Sequence, residues 1–270
     1  MNLMILASDV VSALNAQDAG IERVFFDLEY INKAERQRGR NTVISNNDIN
    51  DIPKIRAVLS SSQLLVRTNP IHAYSEEEIN KVIAYGADIV MLPMALDHHD
   101  VENFVRYVAG RARVCIMIET AQAMARIDKI LSVPGVDEIF IGLNDLHISL
   151  GLSFMFETLS GGLVEYMAQK CNAKNIPFGF GGIARIGEGE LPSDYILGEH
   201  VRLNSQSVIL SRTFKGEVNS SGKVLNLKEE VKKVKDRIED IKQWKLSDYV
   251  ENKKMIENAV DKIVNRINAK

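Results

Sequence analysis

Residues 113–146 read RVCIMIETAQAMARIDKILSVPGVDEIFIGLNDL and contain two apolar runs that are each followed by a carboxylate. Glu119 closes the first run, Asp145 follows the second, and a helix-like stretch of about one crossover separates them. In a parallel sheet this order places both carboxylates at the same C-terminal edge, on strands roughly 5 Å apart if they are neighbours. Two such acids offer the oxygen ligands that a hard cation such as Mg²⁺ binds. The alternative interpretation is that each is an ordinary solvated loop acid.

The same alternation runs along the chain and predicts its fold. Apolar runs predict strands at 3–7, 23–28, 63–68, 88–94, 113–118, 138–142, 177–180 and 207–210. Helical periodicity lies between most of them, at 10–19, 49–59, 75–85, 101–109, 121–131 and 163–174. Eight strand–helix units predict a closed (β/α)8 TIM barrel of the α/β class. An open doubly wound sheet is the alternative, but no glycine-rich turn follows the first strand.

Composition narrows the class of protein. The 270 residues carry a formal net charge of −3, so no global field attracts nucleic acid or an anionic membrane. Cys115 and Cys171 are interpreted as reduced core residues, as expected in the cytoplasm. Residues 1–6 lack the basic region of a signal peptide, and no apolar stretch is long enough to span a bilayer. We therefore expect a cytoplasmic globular enzyme.

Polar residues that close the predicted strands mark the barrel mouth, where active sites of this fold lie. Besides the two acids above they are Asp27, Glu29, Arg67, Asn69 and Arg212. Arg67 follows three apolar residues, so we expect a buried stem and a guanidinium that enters the mouth. There it can grip a carboxylate bidentately and stabilise an oxyanion. The alternative is a structural ion pair with Asp27 or Glu29.

Five motifs together resemble the HpcH/HpaI aldolase and citrate lyase β-subunit family. They are VRTNP at 66–70, GADIVMLP at 86–93, MIET at 117–120, VPGVD at 133–137 and IGLNDL at 141–146. The resemblance runs in order over about residues 23–151. It implies a barrel of the phosphoenolpyruvate/pyruvate group, in agreement with the predicted fold.

The resemblance also implies roles for individual residues. Glu119 and Asp145 would bind Mg²⁺, Mn²⁺ or another divalent cation, and Arg67 would contact the carbonyl oxygen of the substrate. Backbone amides around Leu143, Asn144 and Asp145 would hold the carboxylate of a pyruvate-like substrate. A chelated 2-oxo acid would then react through a metal-stabilised enolate. No predicted strand ends in a lysine aimed at the mouth, which argues against an imine mechanism.

The segment after the second strand departs from the family pattern. Aldolase members carry a histidine there and citrate lyase members carry Asp-Leu-Glu-Asp, whereas this chain reads Asp27-Leu28-Glu29-Tyr30. The acid–base group therefore stays open between a metal-bound water, Glu29 and His72. An unperturbed imidazole titrates near neutral pH, which suits His72 to proton transfer.

A glycine-rich stretch, GFGGIARIGEG at 179–189, follows the seventh predicted strand. Barrel phosphate sites often use the loops after strands seven and eight, so Arg185 and Arg212 are candidates to bind a phosphate or carboxylate. A tight barrel-closing turn explains the glycines equally well. His98-His99-Asp100 resembles a metal tract, but it begins a predicted helix and is interpreted as a solvated cap.

The C-terminal region has a different pattern from the barrel. We expect a catalytic barrel at 1–218, a linker at Asn219-Ser220-Ser221-Gly222 and amphipathic helices at 223–270. Apolar residues recur at three- and four-residue spacing: Leu227, Val231, Val234, Ile238 and Ile241, then Ile256, Val260, Ile263 and Ile267. Such a narrow seam suits a homo-oligomer interface, and packing on the parent barrel is the alternative.

Together these features predict a Mg²⁺-dependent carbon–carbon lyase or aldolase. It would act on a small 2-oxo acid through a pyruvate-type enolate, as a homo-oligomer without nucleic-acid or membrane partners. A citrate lyase-like acyl-CoA lyase is an alternative, although no basic groove for the CoA phosphates is recognised. A non-catalytic barrel that binds a 2-oxo acid or serves as a structural subunit is another.

Overall fold

The protein is a closed parallel barrel, as predicted. The computed structural model describes residues 1–32, 47–215 and 225–269. The strands are β1 (Asn2–Leu6), β2 (Arg23–Asp27), β3 (Gln63–Arg67), β4 (Ile89–Leu92), β5 (Arg113–Ile118), β6 (Glu138–Ile141), β7 (Phe178–Ile183) and β8 (Ser207–Leu210). Each pairs in parallel with the next, and β8 pairs with β1 to close the barrel. The doubly wound alternative is thereby excluded.

Helices follow the strands around the barrel. They are α1 (Val10–Asp18), α2 (Ile52–Val58), α3 (Ser75–Ala84), α4 (His98–Val108), α5 (Ala121–Ala125), α6 (Ile127–Ile130), α7 (Leu143–Ser149), α8 (Glu157–Ser160), α9 (Leu163–Ala173), α10 (Ser193–Arg202), α11 (Leu227–Ile241) and α12 (Leu246–Asn268). Short 3₁₀ turns cover Ile49–Asp51 and Arg212–Lys215. The stretch predicted as one helix at 121–131 is two, because Arg126 leaves the α conformation with φ −105° and ψ 15°.

Strand β7 continues three residues beyond its predicted end, through two glycines. Gly181 has a positive φ of 49°, and a Cβ on Gly179, earlier in the strand, would lie 2.4 Å from the backbone oxygen of Ser207. Glycine usually weakens a strand, so the sequence favoured a loop here. The longer strand carries the chain further up into the barrel mouth.

The barrel interior forms its own small core, separate from the layer between strands and helices. Met4, Phe25, Leu65, Ile89, Met91, Cys115, Met117 and Phe140 fill it. Below them Arg23 donates to both carboxylate oxygens of Glu138 at 2.8 and 2.9 Å, and this buried pair closes the N-terminal end of the barrel. Cys115 and Cys171 are buried free thiols. Burial raises the pKa of both thiols, in keeping with a packing role.

The two C-terminal helices pack on the barrel of the same chain. Val231, Val234, Ile238, Ile241, Ile256, Val260 and Ile263 are buried there. Ion pairs add to the contact, from Arg237 to Asp194 on α10 and from Lys253 to Glu165 on α9. Most of the apolar seam is therefore covered within one chain, although Ile267 at its end stays 38% exposed and Leu227 is partly buried. The seam does not by itself require another subunit, so oligomerisation stays a prediction. The predicted linker at Asn219-Ser220-Ser221-Gly222, and with it both domain boundaries, lies outside the described residues.

Within the described part of the chain, no helix combines the length and the apolar content needed to cross a bilayer.

Candidate active site

A cavity of about 370 Å³ opens at the C-terminal ends of the strands. Seven of the predicted site residues line it: Asp27, Arg67, Glu119, Leu143, Asn144, Asp145 and Arg212. Glu29, His72 and Arg185 do not. A larger groove of about 970 Å³ lies beside α1 and the start of α11, but neither Glu119 nor Asp145 reaches it. The strand-end carboxylates therefore meet in the smaller cavity.

Glu119 and Asp145 come from neighbouring strands, as predicted. Ile118 and Ile141 are direct partners in the β5–β6 register. Glu119 immediately follows Ile118, and Asp145 sits in the first turn of α7 just after β6. Both acids are buried, with 1% and 8% exposure. Two nearly dry carboxylates facing one cavity are unlike the solvated loop acids of the alternative interpretation.

The position of Glu119 depends on two backbone features. Its Oε1 accepts a 2.9 Å hydrogen bond from the amide of Met94, which adopts the uncommon left-handed conformation with φ 53°. Gly142 passes close on the other side: a Cβ there would lie 2.7 Å from Oε2 of Glu119 and 2.9 Å from its Cβ. A side chain at position 142 would displace the carboxylate, so this glycine keeps room for it.

The charge around Glu119 is unbalanced. Burial, followed by the nearby negative charges of Glu29 and Asp145, raises the pKa of Glu119 to about 8, against the opposing effect of Arg67. A carboxyl group held protonated by its neighbours favours any cation that can replace the proton. The donor set is all oxygen, which suits Mg²⁺ or a similar hard ion. Glu119 and Asp145 thus fit a divalent cation.

The sequence left two roles open for Arg67, a structural ion pair and a cation at the cavity, and the side chain combines both. Its Nε and Nη2 donate to Asp27 at 2.8 Å each, and Nη2 lies 3.3 Å from Glu29. Its side chain also lines the cavity beside Glu119. Burial alone would lower the pKa of Arg67, but Asp27 and Glu29 raise it above its ordinary value. The guanidinium is therefore a permanent, rigidly oriented cation at the cavity wall.

The two candidates for proton transfer by a side chain lie outside the cavity. Glu29 is fully buried behind Arg67. His72 faces a separate cavity and pairs through Nε2 with Glu78 at 2.9 Å. Glu78 also accepts hydrogen bonds from the backbone and side chain of Asn69. A local carboxylate thus holds the imidazole away from the barrel mouth, and direct contact of Glu29 or His72 with a substrate does not follow from this geometry.

Arg185 is likewise held by a local partner, in the turn that follows β7. Its guanidinium makes three contacts with Glu188 at 2.9 to 3.1 Å. The Ser193 hydroxyl donates to the backbone carbonyls of residues 184, 185 and 188 and so ties the turn together. Among the described residues, the arginine that this part of the mouth offers to the cavity is Arg212.

Lys215 also lines the cavity, although sequence reasoning missed it. It lies five residues beyond the end of β8, in the 3₁₀ turn that begins at Arg212. Attention to strand-end residues therefore passed over it, and the three-residue spacing from Arg212 was the signal that could have found it. Burial lowers the pKa of Lys215, with a smaller opposing effect of Asp9. The prediction that no strand ends in a lysine aimed at the mouth therefore stands, because Lys215 follows β8 in a turn.

A second group of potential metal ligands lies at the rim. Within the described ranges, His98, His99 and Glu102 are the cluster of three such residues whose ligand atoms lie within 4.8 Å of one another. The residue that caps the helix is Asp97, one position before the predicted tract, and it accepts hydrogen bonds from the amides of His99 and Asp100. His99 and Glu102 are largely exposed. The buried, all-oxygen pair inside the cavity suits a hard cation better, and Mg²⁺ needs only one or two protein carboxylates.

Comparison with known proteins agrees with the barrel fold. The model of the HpcH/HpaI aldolase/citrate lyase family matches residues 3–158. A hydroxypyruvate/pyruvate aldolase of Rhizorhabdus wittichii is 40% identical over 77 residues, which are 26% of this chain and 31% of that relative. The matched segment therefore spans less than a third of the relative's length.

Two solved structures share the fold. An HpcH/HpaI aldolase from Desulfitobacterium hafniense superposes with a TM-score of 0.59 at 15% identity, covering 78% of this chain and 85% of that one. An HpcH/HpaI aldolase/citrate lyase family protein from Burkholderia cenocepacia gives 0.60 at 17% identity, covering 79% and 90%. At these identities the likeness establishes the barrel fold alone.

Proposed function

Because the chain belongs to the HpcH/HpaI aldolase/citrate lyase family, we propose that it is a metal-dependent carbon–carbon lyase that acts on a 2-oxo acid through a pyruvate-type enolate. The observation that carries the proposal is the meeting of Glu119, Asp145 and Arg67 in one cavity. The pyruvate aldolase relative supports an aldolase over an acyl-CoA lyase, although it matches over a short segment.

Glu119 and Asp145 are the residues that would hold the cation. When bound, a divalent cation supplies a Lewis acid that withdraws charge from the carbonyl of a 2-oxo acid. The proton that Glu119 holds at neutral pH would be released as the cation takes its place.

Arg67 would stabilise the oxygen on which negative charge develops. Asp27 fixes the guanidinium through two hydrogen bonds, so the cation is oriented before the substrate arrives. A preorganised donor of this kind stabilises an enolate without reorganisation. Backbone amides at Leu143, Asn144 and Asp145 would bind the substrate carboxylate.

The experiment is exchange of pyruvate methyl protons in D₂O, followed by NMR, with and without added Mg²⁺ or Mn²⁺. We expect exchange that depends on the metal and is lost in Glu119→Gln, because an amide oxygen binds a divalent cation far more weakly than a carboxylate. Glu251→Gln, which makes the same change at an exposed site on α12, serves as the matched control. Exchange in Glu119→Gln at the wild-type rate and metal dependence would refute the proposal.

A further inference from the structure

Two histidines and a glutamate form a group at the start of α4. Within the described ranges, His98, His99 and Glu102 offer ligand atoms that all lie within 4.8 Å of one another. Glu102 follows the two histidines by four and three positions, the spacing at which side chains on a helix are neighbours. These residues do not line the cavity that contains Glu119 and Asp145. The group is therefore separate from the candidate active site.

The three side chains already approach the arrangement of metal ligands. Oε2 of Glu102 lies 3.2 Å from Nδ1 of His99, and the ring centroids of His98 and His99 are 4.0 Å apart. Donor atoms about 2.0–2.2 Å from a tetrahedral zinc ion lie roughly 3.4 Å from one another. Rotation of the side chains can close the remaining separation, because His99 and Glu102 are largely exposed and free to turn.

The backbone under the group is fixed, and the surrounding charge is negative. Asp97 caps α4 by accepting hydrogen bonds from the amides of His99 and Asp100. Asp97, Asp100 and Glu102 place three acids in this short stretch, and Arg126 lies 3.9 Å from the first of them. The excess of acids opposes the positive end of the α4 dipole, which would otherwise disfavour a cation here.

We propose that His98, His99 and Glu102 bind a divalent transition metal such as Zn²⁺, with water completing the coordination. Imidazole and carboxylate ligands suit zinc and its neighbours, whereas the all-oxygen pair of Glu119 and Asp145 suits a hard cation. In the described part of the chain, Nδ1 of His98 is buried without a hydrogen-bond partner, so binding breaks no bond to this atom. The two sites therefore favour different metals, and this one does not depend on the proposed function.

Calorimetric titration of the untagged full chain with Zn²⁺ tests the site. Glu119→Gln/Asp145→Asn removes the acid pair, and we expect this parent variant still to bind one Zn²⁺. His98→Gln or His99→Gln, added to the parent variant, should weaken that binding about a hundredfold or more, since loss of an outer-shell partner alone costs about 10–100-fold. Circular dichroism checks that each variant keeps the fold.

His72→Gln, added to the same parent variant, is the matched control. His72 also pairs with a glutamate, Glu78, but does not belong to the group, so its loss should leave Zn²⁺ affinity unchanged. Co²⁺ gives a second readout, because its visible absorption is stronger in a four-coordinate site and should disappear with His99→Gln. Saturation of the parent variant only at millimolar Zn²⁺, unchanged binding after His99→Gln, or an equal loss after His72→Gln would overturn the inference. Absence of pyruvate proton exchange in wild type would overturn the proposed function alone.

Discussion

Two buried arginine–carboxylate pairs lie at opposite ends of this barrel, and their surroundings differ. At the N-terminal end Arg23 binds Glu138, and Arg113 approaches the same carboxylate at 3.4 Å. At the mouth Arg67 binds Asp27, and Glu29 and Glu119 add negative charge around it. Cations outnumber acids in the first cluster and acids outnumber cations in the second. The satisfied pair closes the barrel, whereas the excess of carboxylates is where we propose that a cation binds.

The largest expected effect on stability is at the N-terminal end. Arg23→Met leaves the buried Glu138 with Arg113 alone, at 3.4 Å. We expect the free energy of unfolding to fall by about 3 kcal/mol, the lower end for a broken buried pair. Exchange activity per folded molecule should not change. Urea unfolding measures the loss, and the double variant Arg23→Met/Glu138→Leu should recover part of it. A single variant as stable as wild type would show that the pair does not close the barrel.

At the mouth, a buried arginine should control turnover and not only stability. Arg67→Lys keeps the charge but loses the fork that binds Asp27 and orients the guanidinium, so we expect pyruvate proton exchange to fall about tenfold to a thousandfold. Arg23→Lys makes the identical change at the other end and should exchange at the wild-type rate. Equal rates in the two variants would mean that Arg67 is as structural as Arg23.

A smaller effect concerns pH. Glu119 has a pKa of about 8 in the folded protein against 4.5 as the ordinary value. Between these values the folded state keeps a proton that the unfolded state has lost, so stability without metal should fall as pH rises from about 4.5 to about 8. Mg²⁺ should reverse the trend. Urea midpoints measured with a chelator at pH 5 and pH 8 test this, and Glu119→Gln should flatten the difference. Parallel pH dependence in both proteins would contradict the raised pKa.

The sequence predicted the site residues that lie at strand ends. It did not predict which loop residues are held away from the cavity by a neighbouring carboxylate. Glu119, Asp145 and Arg67 follow apolar runs, so the strand periodicity alone places them at one edge. His72 and Arg185 have the right residue types and the right loops, but Glu78 and Glu188 hold them away from the cavity. Such short-range pairing depends on side-chain geometry that periodicity does not report.

The C-terminal helices also show that periodicity does not identify the partner of a buried residue. Periodicity identified the buried seam, with Val231 and Val234 among its members. It could not say whether the covering surface belongs to this barrel or to another subunit, because an amphipathic pattern reports only that one face avoids water.

Barrel closure also has a consequence for synthesis on the ribosome. Strand β1 hydrogen-bonds to β8, and Lys235 on α11 binds Glu22, 213 residues earlier in the chain. These contacts close a long loop, which is entropically costly and slow to form. The nascent chain must therefore hold seven strands without their final neighbour, and the part of the cavity that Arg212 lines is the last to be built.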